Sequence, residues 1–152
     1  MAVTLKTGDK APDFKLEDQD GKTIKLSDLE GKKSVIFFYP ADMTPTCTIE
    51  ACNLRDNHSI FQSKGYEVYG VSPDDAKSHQ KFIAKHQLPY TLLSDPDHKM
   101  AIDYGVWDEK QLFGRKYMGI VRTTFILDEK GKIAEVITKV KSKDHASQIL
   151  KL

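Results

Sequence analysis

Cysteine is scarce in this chain: Cys47 and Cys52 are the two present in 152 residues. A small secreted scaffold held by disulfides carries more, and a structural zinc site needs four ligands, so neither accounts for them. Long apolar runs are missing as well. The longest, Val35 to Tyr39, has strand length, far short of the roughly 20 residues that span a bilayer. Met1 to Lys10 holds no apolar stretch of the secretory kind. No charge of one sign dominates, because 23 basic and 22 acidic side chains leave a formal net charge of +1. A protein that grips nucleic acid through phosphates shows a basic excess or stripe; the lysines here are scattered among acids and read as solvated surface. There is no repeat, no low-complexity tract, no glycine-rich phosphate loop and no dinucleotide fingerprint. The expectation is a cytoplasmic chain with no membrane span, no nucleic-acid partner, no metal and no cofactor.

What is present is the composition of a globular protein, with 39% apolar and 30% charged residues. The length fits a single domain over residues 1–152 that buries a core without staples. Gln19-Asp20-Gly21 between Asp13–Leu16 and Thr23–Leu26 is a hairpin signal. Ser34–Tyr39 is almost wholly apolar, as a strand buried on both faces must be. The pattern then predicts a helix from Thr44 to about Ser63, a strand over Glu67–Val71 and a helix over Asp74–His86. Strands follow at Tyr90–Leu93, Thr123–Leu127 and Ile133–Thr138, the last two joined by a turn at Asp128–Gly131, with a helix from Ser142. This alternation predicts an α/β fold: a mixed central sheet flanked by helices, with an N-terminal hairpin extension. A thioredoxin-like fold fits it, as do other α/β folds.

The informative stretch is Pro40-Ala41-Asp42-Met43-Thr44-Pro45-Thr46-Cys47. Pro40 closes the strand. Thr44-Pro45 reads as N-cap and first helical residue, which puts Cys47 in the first turn, beside backbone N–H groups without helical acceptors. The helix dipole favours an anion there, and such positions favour thiolate over thiol. A thiol with pKa near 8.5 is about 3% ionised at pH 7, and one near 6 is roughly 90% ionised. The gain of about 30-fold falls well short of an enzyme's acceleration. A hydroxyl and a guanidinium near the sulfur would have to stabilise charge moving onto a leaving oxygen. Taken singly, the same residues have plainer readings: Cys47 as packing, Thr44 as a cap, Pro40 as a terminator, Arg122 as an edge-strand charge, Glu50 as a dipole partner.

Together, Pro40-x-x-x-Thr44-x-x-Cys47, with Cys52 four residues beyond Cys47, resembles the active-site signature of peroxiredoxins of the bacterioferritin comigratory protein (PrxQ) class. Gly8-Asp9-Lys10-Ala11-Pro12-Asp13-Phe14, Tyr104-Gly105-Val106-Trp107, Gly114–Ile120 and Arg122-Thr123-Thr124-Phe125 extend the resemblance over nearly the whole chain. One departure is Thr46, where the class often has glycine. The resemblance implies a thioredoxin-like fold and reduction of hydrogen peroxide and organic hydroperoxides. Cys47 would be the peroxidatic nucleophile and Cys52 the resolving thiol. Thr44 would hydrogen-bond the peroxide and the sulfur, and Pro40 would shield them from water. Arg122 would stabilise the thiolate and transition state, and Glu50 would orient that arginine. A thioredoxin-type dithiol would restore the enzyme.

On an intact helix, residues five apart have Cα atoms roughly 8.7 Å apart, beyond the about 6.8 Å that a disulfide tolerates. Bonding Cys47 to Cys52 therefore demands local unwinding. With no cysteine near the C-terminus, a monomer is expected. A thioredoxin-type oxidoreductase would need C-x-x-C; a redox sensor or holdase using the same thiol switch remains a rival. His79 and His86 lie on a charged helix and read as solvated surface. Trp107, Phe113, Tyr117 and Met118 read as core or as the wall of a pocket that meets the apolar part of a hydroperoxide.

Overall fold

The computed structural model describes residues 4–151. The start of the Met1–Lys10 stretch and the extreme C-terminus of the expected 1–152 domain lie outside the described residues. The strands are β1 (Lys15–Asp18), β2 (Thr23–Lys25), β3 (Lys33–Phe38), β4 (Tyr66–Ser72), β5 (Thr91–Ser94), β6 (Trp107–Leu112), β7 (Arg115–Ile120), β8 (Thr123–Leu127) and β9 (Ile133–Ile137). The helices are α1 (Pro45–Asp56), α2 (His58–Ser63), α3 (Ala76–His86), α4 (Lys99–Asp103) and α5 (His145–Leu150).

Seven strands form one mixed sheet in the order β2-β1-β5-β4-β3-β8-β9. β3 pairs parallel to β4, and β4 parallel to β5, while β8 runs antiparallel to β3. β3 is central and has apolar residues on both faces. Ile36 and Phe38 join one core cluster with Met100, Tyr104, Phe125 and Leu127. Val35, Phe37 and Tyr39 point the other way, into a cluster with Cys47, Ala51, Leu54, Phe82 and Ile149. Strand periodicity thus splits one apolar run between two layers. Gly70 in β4 is part of the same packing: a Cβ there would come within 2.8 Å of Phe37 and 3.1 Å of Tyr39.

The expected helix from Thr44 to Ser63 is broken. Asn57 leaves helical geometry (φ −110°, ψ 11°) between α1 and α2. Its side-chain amide donates to the Asn53 carbonyl at 2.8 Å, the acceptor its own N–H would take in a continuous helix, so side chain competes with ladder. The strands β6 and β7 form a separate two-stranded hairpin, which the sequence pattern did not reveal. There Phe113 is 96% exposed and Tyr117 and Met118 are about half exposed. These three are not core; only Trp107 is partly buried, stacked on His98 with ring centroids 3.8 Å apart.

Candidate active site

Thr44 is the N-cap of α1 (φ −75°, ψ 153°) and Pro45 its first residue. The first ladder bond runs from the Thr48 N–H to the Thr44 carbonyl at 2.9 Å, so the amides of Thr46 and Cys47 precede the ladder. Cys47 is 3% exposed, in line with Ala51 and Leu54 on the buried stripe of α1. The Thr44 hydroxyl donates to the Ala41 carbonyl at 3.0 Å, which leaves its oxygen lone pairs as acceptors. Pro40 is half-buried at the start of this loop. Both thiols are free, Cys47 buried and Cys52 half-buried, and both lie on the unbroken α1.

Arg122 lies between β7 and β8, where the central sheet brings it under the start of α1. Its Nη2 donates to Cys47 Sγ at 3.2 Å and its Nη1 to Glu50 Oε1 at 2.5 Å. Its side chain is 19% exposed and that of Glu50 is 0% exposed. Burial works against the Arg122 charge, but Glu50 and Cys47 outweigh it and hold the guanidinium protonated more firmly than usual. Burial pushes the Glu50 carboxyl up to about 7, against the pull of Arg122. The geometry therefore brings Cys47, Glu50 and Arg122 into contact, with Thr44 and Pro40 on the adjoining loop and Cys52 farther along α1.

Two groups around this site, His145 and Lys110, escaped the sequence reading. Glu50 Oε2 finds no hydrogen-bond partner among the described residues, and His145 Nε2 lies 3.6 Å from it. His145 is fully buried, bonded to Thr124 Oγ1 at 2.6 Å and to Gln148 Oε1 at 2.9 Å. Burial lowers its pKa, as does Arg122, while Gln148 opposes the shift. Lys110 on β6 reaches the Ile120 carbonyl with Nζ at 2.9 Å. Burial lowers its pKa and Arg122 lowers it further, whereas Cys47 raises it. His79, expected at the surface, is 0% exposed and bonded to Asp42; α3 turns its one polar buried position inward, which a count of charges on the helix cannot reveal.

The AhpC/TSA family model matches residues 7–136. The chain is 48% identical over 148 residues to "Peroxiredoxin Bcp" of Bacillus subtilis (strain 168), covering 97% of this chain and 94% of that one. Peroxidoxin BcpB from Mycobacterium tuberculosis superposes with a TM-score of 0.85 at 38% identity, over 97% of this chain and 95% of that one. The bacterioferritin comigratory protein of Xanthomonas campestris, known from trapped intermediate/ligand complexes that bear on its alkyl peroxide reduction activity, gives a TM-score of 0.88 at 33% identity, over 99% and 96%. The mixed sheet with its flanking helices is the thioredoxin-like peroxiredoxin fold of these structures. The chain belongs to the AhpC/TSA family and is a peroxiredoxin, a thiol-dependent peroxidase that works through a peroxidatic cysteine.

Proposed function

We propose that Cys47 is the peroxidatic residue, and that the chain reduces hydrogen peroxide and organic hydroperoxides. The observation that carries this reading is the two-handed guanidinium of Arg122, on Cys47 Sγ at 3.2 Å and Glu50 Oε1 at 2.5 Å. A cation so placed stabilises the sulfur anion and the charge that leaves with the departing oxygen. Glu50 fixes the guanidinium. The peroxide O–H donates to Thr44 Oγ1, whose own proton is committed to Ala41, and Pro40 limits water at the loop. The thiolate attacks the O–O bond, giving Cys47 sulfenic acid and an alkoxide or hydroxide that takes up a proton. The α1 helix then unwinds locally, and the Cys52 thiol condenses with the sulfenic acid to a disulfide and water. A thioredoxin-type dithiol reduces that disulfide and is itself oxidised.

In this reading residues 1–152 act as one cytoplasmic, monomeric domain. The alkyl peroxide reduction activity of the Xanthomonas campestris relative supports the substrate class. No helix among the described residues is long and apolar enough to cross a membrane. The test is a thiol count with intact mass before and after one equivalent of hydrogen peroxide. Two thiols fall to zero, the mass drops by about 2 Da, and no dimer forms. With a dithiol supplied, many equivalents of peroxide are consumed; a sensor stops after one. Cys47→Ser abolishes consumption, and Cys52→Ser accumulates sulfenic or sulfinic acid at Cys47 under peroxide. Retained turnover in Cys47→Ser, or no extra overoxidation in Cys52→Ser, overturns the corresponding role.

A further inference from the structure

A second buried polar cluster sits at the base of the loop that joins β3 to α1. The Asp42 side chain is 1% exposed and the His79 side chain 0%. Asp42 Oδ1 accepts from the Tyr39 hydroxyl at 2.6 Å, and Oδ2 accepts from Ser78 Oγ at 2.8 Å. His79 Nδ1 lies 2.7 Å from the same Oδ2, and its Nε2 lies 3.0 Å from the Leu93 carbonyl. The Asp42 N–H donates to Asp74 Oδ2 at 2.7 Å, and Ser72 Oγ donates to that oxygen at 2.8 Å.

A carbonyl oxygen only accepts, so Nε2 carries a hydrogen. A bare Nδ1 lone pair against a carboxylate oxygen at 2.7 Å would repel it, so a proton lies between Nδ1 and Oδ2 as well. The pair is therefore either imidazolium with carboxylate or imidazole with carboxylic acid, and in both forms it is closed and directional. It ties the loop to α3, where His79 and Ser78 reside, and through Leu93 to β5. The next residue, Met43, has φ +67°, a left-handed conformation that disfavours any residue with a Cβ. Such a backbone persists only when its neighbours hold it. Pro45 and the first turn of α1 hold it on one side, and Asp42 on the other.

We infer that Asp42 and His79 are positioning residues of the peroxidase site: their buried pair sets the loop from Pro40 to Thr44 over Cys47 and so places the Thr44 oxygen for the peroxide. The inference rests on the proposed roles of Cys47 and Thr44. It separates two things that a loss of folding would move together. Arg122 and the start of α1 act on the sulfur itself; the pair acts on the loop that receives the peroxide.

The experiment measures two single-turnover rates on the reduced protein: oxidation of Cys47 by hydrogen peroxide, and its alkylation by iodoacetamide. His79→Leu and Asp42→Ala each slow the peroxide reaction by about 10-fold, as misplaced positioning groups do, and change alkylation by less than about 2-fold. Asp42→Asn retains an acceptor for Tyr39 and offers an amide N–H to a neutral Nδ1, so it loses less than about 3-fold. In the Asp42→Ala background, His79→Leu costs less than about 2-fold, because interacting partners are not additive.

Equal slowing of peroxide oxidation and alkylation overturns the inference, as does an equal cost of His79→Leu in both backgrounds. Should His79→Leu fail to fold, the Asp42 variants decide: a slow Asp42→Ala with a fast Asp42→Asn supports it, and equal rates overturn it. A parent protein whose Cys47 ignores peroxide would instead sink the proposed function, a result distinct from any of these.

Discussion

At the residue scale, the site is a question of which charges face one sulfur. Arg122 touches it at 3.2 Å. Lys110 does so only through the field: Cys47 raises its pKa while burial and Arg122 lower it. That interaction is mutual, since an anion that holds a proton on an ammonium is itself held by the ammonium. Lys110→Met should therefore slow alkylation of Cys47 by iodoacetamide at pH 7 by about 3-fold, the size of a partly screened charge pair. Rates measured on parent and variant check this, and an unchanged or faster reaction counts against a contribution from Lys110. Cys47 drew attention in the sequence through its place in the first turn of a helix, whereas Arg122 and Glu50 were singled out only by the resemblance; the geometry brings all three into contact. Asp42, His79 and His145 were not legible there. Nothing in their immediate neighbours (Ala41 and Met43, Ser78 and Gln80, Asp144 and Ala146) marks them as buried, and their burial follows from the partner that satisfies each: Asp42 for His79, Thr124 and Gln148 for His145. Those partners lie more than 20 residues away for the pairs 42–79 and 124–145, which local reading does not join.

At the element scale, the proposed cycle asks α1 to be firm enough to present Cys47 and loose enough to release it. Several side chains tie it down. The Tyr90 hydroxyl donates to the Ala51 carbonyl at 2.7 Å, one residue before Cys52. Asn53 donates to the Lys143 carbonyl and accepts from the Ala146 N–H, both at 2.8 Å. Arg55 Nη1 donates to the His86 carbonyl at 2.8 Å. Tyr90→Phe removes one tie and keeps the ring, which packs edge-on to Phe37. A hydrogen bond of this kind contributes about 1 kcal/mol, so unwinding becomes easier by about 5-fold. The expected result is faster Cys47–Cys52 disulfide formation after peroxide and less sulfinic acid at a given dose, read by quench-and-mass kinetics. An unchanged rate would mean that this end of α1 stays wound during resolution. The same elements show what sequence patterns resolve. β3 is unmistakable because both its faces are apolar, and β1 and β2 because a turn lies between them. β6 and β7 alternate weakly and expose Leu112, Phe113, Tyr117 and Met118, so periodicity carries no signal there, and α4 spans only five residues.

At the scale of the whole molecule, the sheet separates two apolar layers, and the Cys47, Glu50 and Arg122 cluster is a polar intrusion into one of them. That intrusion ties stability to pH. The Glu50 carboxyl sits at about 7 in the fold, against 4.5 for a free one, because burial outweighs the attraction of Arg122. A pKa raised by folding contributes stability that is fully present below about 4.5 and lost as pH rises through about 7. The difference is worth about 3 kcal/mol between those limits. His145 has the opposite sign: burial lowers its pKa, so its contribution is present above its ordinary value of 6.5 and lost as pH falls. Glu50→Gln isolates the first effect, because the imidazole is common to both proteins. Urea unfolding from pH 4.5 to 8 should show the parent losing stability relative to Glu50→Gln by up to about 3 kcal/mol, most of it between pH 5 and 7.5. A constant difference across that range would mean that Glu50 is ionised throughout, held by Arg122 more strongly than burial opposes it. The guanidinium would then carry less net positive charge toward Cys47, and Glu50→Gln should speed alkylation of the sulfur at every pH, not only above 7.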